Sequence, residues 1–541
     1  MEWSFATCWE SVADLLPDRV ALVQGERRVT WRQLDDRSAR LAGALRARGL
    51  EPGAKVAVYL YNANEYLETT FAAFKARAVP VNVNYRYLEE ELEYLLENAD
   101  AEALVFHGSL GDRVDRVRSR LPGLRAVVQV DDGSPHLEGA LRYEDLVAGH
   151  EPAPREERSG DDLLLLYTGG TTGMPKGVMW RQEDLYLAVG PSLFFLAGQE
   201  PPEGPAGVGA VAARLAEAGQ APVHLPASPL MHGTGFFTSL QALLAGGTVV
   251  TLEGRRFDPH ELWATVQRER VTQAAIVGDA FAKPMLRALE EAEDRGRPYD
   301  LSTLVMLASS GVMWTAPVKE GLMARGGFIC FDALGSSEGV GFGSNVSAPG
   351  ATSGTARFQI GEHARVVTED GRDVVPGTDE IGQLALGGPI PLGYYKDPDK
   401  TAATFRVIDG RRYSIPGDWA RVEADGTVVL LGRGSVSINT GGEKVFPEEV
   451  EEALKGHPAV ADVVVVGVPD DRFGEAVAAV LSLHDGASAD EDALRAAVRG
   501  HLAGYKQPRH VVVVDEVPRA ANGKADYGWA RREATARLGL G

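Results

Sequence analysis

Strand-like and helix-like stretches alternate along this 541-residue chain, and that alternation limits the folds open to it. Residues 32–48 carry leucines at helical spacing, with Thr30 as a candidate N-terminal cap and Gly49 as a stop. Short apolar stretches recur at 55–61, TVVTL (248–252), AAIVG (274–278) and LVMLASSG (304–311). Strands separated by helices pair mostly in parallel, so the sequence predicts an α/β fold of layered, mostly parallel sheets.

Length and charge narrow the class of protein. A chain of this length is too long for one core, so two or more domains are expected. The formal net charge of −21 argues against nucleic acid as a partner. Any anionic ligand must therefore be held by local positive groups, because the field of the whole molecule opposes it.

Cysteine usage and the apolar stretches indicate a compartment. The two cysteines, Cys8 and Cys330, lie far apart in sequence, which disfavours a disulfide framework or a cysteine metal site. The N-terminal stretch MEWSFATCWESVADLLPDR carries early acids and no long apolar core, unlike a signal peptide. No apolar run approaches the length of a membrane span, so a reducing cytoplasm is the expected location. The oligomeric state stays open, a homodimer included.

The sequence pattern changes after residue 432, where a polar connector precedes a second set of helix and strand patterns. The stretch GRGSVSINTGG is a polar, glycine-rich connector, and PEEVEEALKGHP after it predicts a helix that begins at Pro447 and stops at Gly456. Two apolar strands and another helix near 491–503 follow. We therefore predict a large α/β domain at 1–432 and a small, mobile α+β domain at 433–541. Residues 197–222, rich in Gly, Pro and Ala, indicate an insertion or a lid.

The stretch YTGGTTGMPKG (167–177) follows a continuous apolar run at 163–166, which predicts a buried strand leading into a glycine-rich loop. Glycines let backbone N–H groups approach an anion, threonines add hydroxyl donors, and Lys176 adds a positive charge. The loop is not of the Walker A type, because Pro175 precedes the lysine and Gly177 follows it. A flexible surface turn is the plainer alternative, but phosphate binding fits these eleven residues better.

Five separate motifs together resemble the adenylate-forming superfamily of acyl-CoA synthetases, luciferases and peptide-synthetase adenylation domains. In chain order they are YTGGTTGMPKG, LGSSE (334–338), YSIPGD (413–418), Gly432-Arg433 and Asn522-Gly523-Lys524. The resemblance covers nearly the whole chain. The sequence GGEKVFPEEVE most resembles the acyl-CoA synthetase branch of this superfamily. It is similar to actinobacterial members that take bulky, sometimes sterol-derived, carboxylic acids.

This resemblance implies a reaction with ATP, Mg²⁺ and coenzyme A. The phosphate loop would hold the β- and γ-phosphates, Glu338 would hold Mg²⁺ on them, and Asp418 would accept hydrogen bonds from the ribose hydroxyls. Lys524, Glu338 and Thr171 are implied as catalytic residues. The residues implied to contact ATP or AMP are Thr168, Gly169, Gly170, Thr171, Thr172, Gly173, Lys176, Gly311, Leu334, Gly335, Ser336, Ser337, Glu338, Asp418, Arg433 and Lys524.

The resemblance also implies sites for the acid and for CoA. The acid would lie near His232, Gly233, Phe236, Phe237, Met313 and Trp314. The pantetheine arm of CoA would pass Gly441, Gly442, Glu443 and Lys444. The resemblance places the hinge near 433–436, and Ser435 stands there where the family often has Asp or Lys. Leu334 likewise replaces a frequent aromatic residue, and Ser337 replaces threonine.

Most of these residues also have a plainer interpretation when taken alone. Glu338 could be a solvated loop acid, Asp418 a turn residue and Arg433 half of a surface salt bridge. A lone histidine such as His232 is more often structural. A group of aromatic residues is more often plain core than an acyl pocket.

The sequence thus favours an AMP-forming acid–CoA ligase for a hydrophobic carboxylic acid, long-chain or polycyclic. Three alternatives stay open at this point. The enzyme could load a carrier-protein thiol, or it could form the thioester only from a supplied acyl-adenylate. It could also be a nucleotide-binding regulatory protein without turnover, although the two lysines at catalytic positions argue against that.

Overall fold

The structure is a computed structural model that describes residues 2–168, 174–196, 198–440, 443–470, 473–499, 502, 504–520 and 523–540. Contacts divide the chain into two compact units. The first unit comprises Met1–Gly341, Val346–Thr352 and Gly387–Ser414. The second comprises Phe342–Asn345, Ser353–Leu386 and Ile415–Gly541. The predicted mobile domain at 433–541 lies within the second unit, and its boundary stays a prediction.

The helices share lengths of two to five turns. In the described residues they are α1 (Phe5–Leu15), α2 (Trp31–Arg46), α3 (Asn64–Lys75), α4 (Glu89–Asn98), α5 (Gly111–Arg118), α6 (Tyr143–Gly149), α7 (Gln182–Leu196), α8 (Val208–Glu217), α9 (Gly233–Leu244), α10 (Pro259–Glu269), α11 (Gly278–Asp294), α12 (Ala316–Gly326), α13 (Pro398–Thr404), α14 (Pro447–Lys455), α15 (Glu491–Arg499) and α16 (Tyr527–Leu538).

The strands are mostly short. In the described residues they are β1 (Val20–Gln24), β2 (Arg27–Thr30), β3 (Lys55–Tyr59), β4 (Val79–Asn82), β5 (Ala101–His107), β6 (Ala126–Val130), β7 (Leu141–Arg142), β8 (Leu163–Thr168), β9 (Lys176–Arg181), β10 (Val223–Pro226), β11 (Thr248–Thr251), β12 (Gln273–Ile276), β13 (Met306–Ser310), β14 (Ile329–Ser336), β15 (Gly339–Ser347), β16 (Arg357–Ile360), β17 (Ala364–Val367), β18 (Ile381–Leu386), β19 (Gly393–Tyr394), β20 (Phe405–Ile408), β21 (Arg411–Ser414), β22 (Asp418–Val422), β23 (Val428–Arg433), β24 (Ile438–Thr440), β25 (Glu443–Val445), β26 (Val460–Asp470), β27 (Gly474–Leu483) and β28 (His510–Val513).

Two largely parallel sheets form the first unit, as predicted. One has the order β2-β1-β11-β10-β12-β13-β14, parallel from β1 onward. The other has the order β19-β9-β8-β4-β3-β5-β6-β7, in which only β19, β9 and β8 pair antiparallel. Helices cover these sheets because their strands are apolar on both faces, as parallel strands generally are.

Helix α2 shows how local sequence sets an element. It begins at Trp31 and is capped by Thr30, whose side chain accepts from the Gln33 backbone while the Gln33 side chain accepts from the Thr30 backbone. Leu34, Leu41 and Leu45 on its predicted face are fully buried. The helix ends at Arg46, and Gly49 follows with φ of 79°. The prediction from 32–48 is confirmed.

Helix α8, in the stretch interpreted as an insertion or a lid, packs on α1 near the N-terminus of the chain, and that interpretation stays a prediction. The backbone N–H of Gly209 in α8 donates to Ser11 Oγ of α1 at 2.9 Å. A Cβ at Gly209 would overlap the Ser11 carbonyl, so the two helices are in backbone contact. The absence of a side chain allows this approach.

The second unit holds two further sheets. Strands β16, β23, β22, β18 and β17 pair antiparallel in that order, and this sheet was not predicted. The other sheet has the order β25-β24-β27-β26 with β28 parallel to β27, and α14 and α16 pack on it. Its two long strands, β26 and β27, cover ADVVVVGV and VAAVLSL, as predicted.

Candidate active site

The residues predicted for adenine and for the acid follow or end strands of the parallel sheet that contains β10, β13 and β14. His232 follows β10, Gly311 follows β13, and Leu334 lies near the end of β14. Strands β10, β12, β13 and β14 are neighbours in the sheet and parallel, so their carboxyl ends lie on the same side of it. Open α/β sheets bind ligands at the carboxyl ends of their strands.

Small residues bring these segments into contact. Gly311 has φ of 91°, and a Cβ there would lie 4.0 Å from Thr234 Oγ1 at the start of α9. A Cβ at Gly335 would lie 3.9 Å from Ser310 Oγ. A Cβ at Gly233 would lie 3.7 Å from Leu166 Cδ2, in the strand that leads into the phosphate loop. The predicted adenine, acyl and phosphate segments are therefore adjacent.

The predicted phosphate loop connects the antiparallel pair β8 and β9. Thr168 and Lys176 are directly paired where the loop begins and ends. Lys176 Nζ lies 2.8 Å from Asp397 Oδ2 and 5.9 Å from the Tyr394 ring centroid. The hydrogen bond from Lys176 lowers the pKa of Asp397. Gly169, Gly170, Thr171, Thr172 and Gly173 lie outside the described residues, so their phosphate contacts stay predictions.

Glu338 is 9% exposed, which excludes the alternative of a solvated loop acid. Its Oε1 accepts a hydrogen bond from Tyr394 Oη at 2.8 Å, and its backbone N–H donates to Ser336 Oγ at 3.2 Å. The indole Nε1 of Trp180 donates to the Ser337 carbonyl at 3.0 Å. The segment LGSSE is thus bonded to β9, which begins at Lys176, and to β19, which contains Tyr394.

The residues predicted for the acid divide into two groups. His232 precedes α9 in extended conformation and is half-buried, as is Met313. Phe236, Phe237 and Trp314 are buried, and Trp314 packs in the core with α10–α12. Lys319 Nζ lies 5.3 Å from the Trp314 ring centroid. The acyl roles of these residues stay predictions.

In the second unit, Asp418 and Arg433 face each other across β22 and β23. Arg433 Nε lies 3.2 Å from Asp418 Oδ1. The structure therefore brings together the two side chains that were predicted to contact the ribose. The ion pair also agrees with the plainer interpretation of Arg433, because a pair with an accessible guanidinium forms without any ligand.

Lys524 is tied to Ala520 by backbone hydrogen bonding. The Gly523 backbone N–H donates to Ala520 O at 2.9 Å, and the Ala520 N–H donates to Lys524 O at 3.0 Å. Arg519 donates to the Gly523 carbonyl at 3.0 Å and pairs with Asp462, Nη2 to Oδ1, at 2.7 Å. Arg519 therefore anchors the lysine-bearing turn to β26, a function that sequence reasoning missed.

The connector after β23 is closely packed. A Cβ at Gly432, whose φ is 130°, would overlap the Glu448 carboxyl group. Burial and, next, the Glu451 charge raise the pKa of Glu448 to about 8. Ser435 lies in a short 3₁₀ turn, Gly434–Val436, and Glu443 and Lys444 lie on β25. Gly441 and Gly442 lie outside the described residues, so the CoA and hinge assignments stay predictions.

Tyr394 and Asp397 were also missed from the sequence. Both lie in GYYKDPDK (393–400), where Asp397 caps α13 through its bond with the Lys400 backbone and Pro398 begins that helix. The Asp-Pro pair signals the helix start. Nothing local in the sequence signals that Tyr394 meets Glu338 or that Asp397 meets Lys176.

The described part of the chain lacks membrane-spanning helices and clusters of metal-ligand side chains. Its helices are all too short or too polar to cross a bilayer. It also holds no cluster of three or more His, Cys, Asp or Glu side chains suited to a metal ion.

Comparison with known proteins identifies the family. The chain matches AMP-binding enzymes over residues 9–395, and it matches the C-terminal domain of AMP-binding enzymes over residues 449–524. The first match spans well over half of the chain. The protein therefore belongs to the AMP-binding enzyme family.

Particular relatives match over nearly their full length. The chain is 46% identical to a 3-oxocholest-4-en-26-oate–CoA ligase of Rhodococcus rhodochrous, covering 99% of this chain and 97% of that protein. It is 44% identical to a medium/long-chain-fatty-acid–CoA/3-oxocholest-4-en-26-oate–CoA ligase of Mycolicibacterium smegmatis, covering 98% and 96%.

The fold also matches solved structures. The anthranilate CoA ligase AuaEII in complex with anthranoyl-AMP superposes with a TM-score of 0.85 at 23% identity, covering 100% of this chain and 98% of that one. The predicted α/β fold class and the resemblance to the acyl-CoA synthetase branch are confirmed. The prediction of an enzyme of the acid–CoA ligase class is confirmed by the full-length relatives.

Proposed function

We propose that the protein joins a hydrophobic carboxylic acid to coenzyme A in two steps, with a steroid side-chain acid as its preferred substrate. In the first step a carboxylate oxygen attacks the α-phosphorus of ATP, and the bond to pyrophosphate breaks. In the second, the thiol sulfur of CoA attacks the acyl carbon, AMP leaves, and the thiol proton is released. The products are acyl-CoA, AMP and pyrophosphate.

One observation carries this proposal: near full-length identity of 46% to a ligase named for 3-oxocholest-4-en-26-oate. A second relative at 44% identity is named for both that acid and medium- or long-chain fatty acids. The buried aromatic side chains of α9 suit an apolar acid. A fatty acid is therefore the second substrate class to test.

The first step brings two anions together, and the first unit offers groups that offset this repulsion. Lys176 stands at the end of the phosphate loop, where it would exchange Asp397 for a phosphate oxygen. Thr168, directly paired with Lys176, offers a hydroxyl on the same side of the loop entrance. The loop would thus hold the phosphates that leave as pyrophosphate.

The donor set fits a magnesium ion held mainly by the nucleotide. Mg²⁺ is bound through one or two carboxylates together with substrate phosphates, rather than by an all-protein cage. Glu338 supplies one buried carboxylate, and Tyr394 fixes its orientation. When bound, the ion would neutralise phosphate charge. Glu338 would hold it, and Ser336 and Ser337 would shape the turn beneath.

In the second unit, we assign ribose recognition to Asp418 and charge stabilisation to Lys524. A carboxylate is the natural acceptor for a pair of hydroxyls, and the ion pair with Arg433 holds the Asp418 side chain in place. The Ala520–Lys524 backbone hydrogen bond and the Arg519 bond to the Gly523 carbonyl would help to position Lys524, as a charge-stabilising donor requires. The relatives named as CoA ligases favour CoA over a carrier protein as the thiol.

The test is a product analysis with a panel of acids. Purified enzyme with ATP and Mg²⁺ is given 3-oxocholest-4-en-26-oate, palmitate or benzoate, each with and without CoA, and products are identified by mass spectrometry. We expect acyl-CoA, AMP and pyrophosphate in equal amounts, with kcat/KM highest for the steroid acid. Exchange of CoA for a phosphopantetheinylated carrier protein is the matched control for the thiol.

Three results would contradict parts of this proposal. Preference for palmitate by tenfold or more would make a fatty acid the substrate class. Transfer to the carrier protein but not to CoA would make the enzyme a loading enzyme. Thioester formation only from a supplied acyl-adenylate would leave just the second step.

A further inference from the structure

Asn82, the last residue of β4, joins the phosphate-loop strand to the His232 segment. Its side chain is 8% exposed. The amide Nδ2 donates to the Tyr167 carbonyl at 2.9 Å and to the Met231 carbonyl at 2.5 Å. The Tyr167 backbone N–H donates in turn to Asn82 Oδ1. One buried amide thus connects two stretches of backbone far apart in sequence.

Both anchored residues adjoin predicted substrate contacts. Tyr167 directly precedes Thr168, which pairs with Lys176 where the phosphate loop starts and ends. Met231 directly precedes His232 at the start of α9. The position of Asn82 therefore sets the distance between the group that would hold the phosphates and the group that would lie near the acyl carboxylate.

The chemistry of the amide suits this role better than that of any other small side chain. Asparagine offers two donors and an acceptor in one plane, and all three are used here. An aspartate would keep the acceptor but turn a negative charge toward two carbonyl oxygens. Neighbouring bonds make the anchor stiff: Tyr167 Oη donates to Asn98 Oδ1 at 2.6 Å.

We propose that Asn82 is a positioning residue for adenylation, which rests on the proposed function. It holds the phosphate loop and the His232 segment at the spacing that in-line attack of the carboxylate on the α-phosphorus requires. Misplacement of reacting groups by about 1 Å can cost about 100-fold in rate. Pyrophosphate has already left before the second step, so thioester formation depends less on this spacing.

The test compares Asn82→Asp and Asn82→Ala with a matched amide-to-acid change, Gln129→Glu. Gln129 is 4% exposed in β6 of the same sheet, and its amide also bonds two backbone groups, Leu137 N at 2.7 Å and Pro135 O at 3.1 Å. All variants are assayed well below their melting temperatures, with rates normalised to folded protein. Pyrophosphate release from acid and ATP, and acyl-CoA formation from a supplied acyl-adenylate, are measured separately.

We expect both Asn82 variants to lose about 10- to 100-fold in pyrophosphate release and less than threefold in thioester formation. Gln129→Glu should melt earlier yet keep both rates. Equal loss in both half-reactions, or the same loss in Gln129→Glu, would show that Asn82 is merely structural. Wild-type enzyme that releases no pyrophosphate with any acid would overturn the proposed function, and this inference with it.

Discussion

At the scale of single residues, the structure shows which side chains the predicted site residues contact. Glu338 and Lys176 each meet one side chain from GYYKDPDK, Tyr394 and Asp397 respectively. Their separation along the chain is large, so no local pattern could have paired them. Lys176 also forms an ion pair with Asp397 in this structure.

Lys524 offers the sharpest test of a single charge. Lys524→Ala should slow pyrophosphate release by about 100- to 1,000-fold, because a well-placed donor stabilises charge that develops in the transition state. Conversion of a supplied acyl-adenylate to acyl-CoA should continue. Arg532→Ala, which removes an exposed charge from α16 in the same unit, is the control and should change neither rate. Equal losses in both half-reactions would reject the assignment.

Asp418 can be tested through the nucleotide rather than through the rate alone. Hydrogen bonds to a charged group contribute about 1.5–3 kcal/mol, so Asp418→Asn should raise the KM for ATP about 10- to 100-fold. Wild-type enzyme should also discriminate against 2′-deoxy-ATP, and the variant should lose most of that discrimination. Asp425→Asn, at the turn end of the same hairpin, is the matched control. Unchanged discrimination in Asp418→Asn would remove Asp418 from the ribose.

Glu448 makes stability depend on pH. The side chain is enclosed by Gly432 and Arg433 of β23, Asp418 of β22, Glu451 of its own helix and Tyr527 of α16. Its pKa is raised to about 8, so the folded state binds a proton that the unfolded state releases near pH 4.3. The resulting stability is full below that lower value and is lost as pH rises through about 8.

Glu448→Gln should remove this dependence, because the amide stays neutral. Relative to wild type, its melting temperature should rise by several degrees between pH 5 and pH 8, because wild type loses the stabilisation from the protonated carboxyl group over this range. Glu491→Gln, an exposed acid on α15, is the control and should follow wild type. Parallel melting curves for Glu448→Gln and wild type across this range would place the titration elsewhere.

At the scale of elements, periodicity succeeded where the chain is locally regular. Helix α2, the helix after Pro447 and the apolar strands of the parallel sheets were predicted because spacing, caps and stops agreed. The antiparallel sheet of β16, β17, β18, β22 and β23 was missed. Its strands are short and partly exposed, and their pairing depends on residues distant in sequence.

The contact between α1 and α8 is the clearest element-level prediction. Gly209→Ala forces a methyl group into the Ser11 carbonyl, and overpacking of this kind costs about 1–3 kcal/mol. We expect a lower denaturation midpoint with kcat within about twofold of wild type. Ala210→Ser, on the exposed side of the same helix, should stay within about 0.5 kcal/mol of wild type. Equal stability of both variants would mean that the helices separate easily.

At the scale of the whole molecule, the sequence predicted the family and the enzyme class, but it did not reveal the residues that hold the candidate site residues in place. Five ordered motifs were enough to predict the family and the enzyme class, and the ligand contacts that they imply stay predictions. They were not enough to find Asn82, Tyr394 or Arg519, because each of these acts through a partner brought close only by folding. Residues that support a site carry no motif of their own, since many side chains can supply one hydrogen bond.

The central claim is that the enzyme forms an acyl-adenylate, and isotope exchange tests it most directly. Enzyme, ATP, Mg²⁺ and labelled pyrophosphate are incubated with 3-oxocholest-4-en-26-oate in the absence of CoA, and label entering ATP is measured. We expect exchange that requires the acid and falls when Asp418→Asn replaces wild type. Acyl-CoA formation from acid, ATP and CoA without any acid-dependent exchange would rule out a reversible acyl-adenylate intermediate.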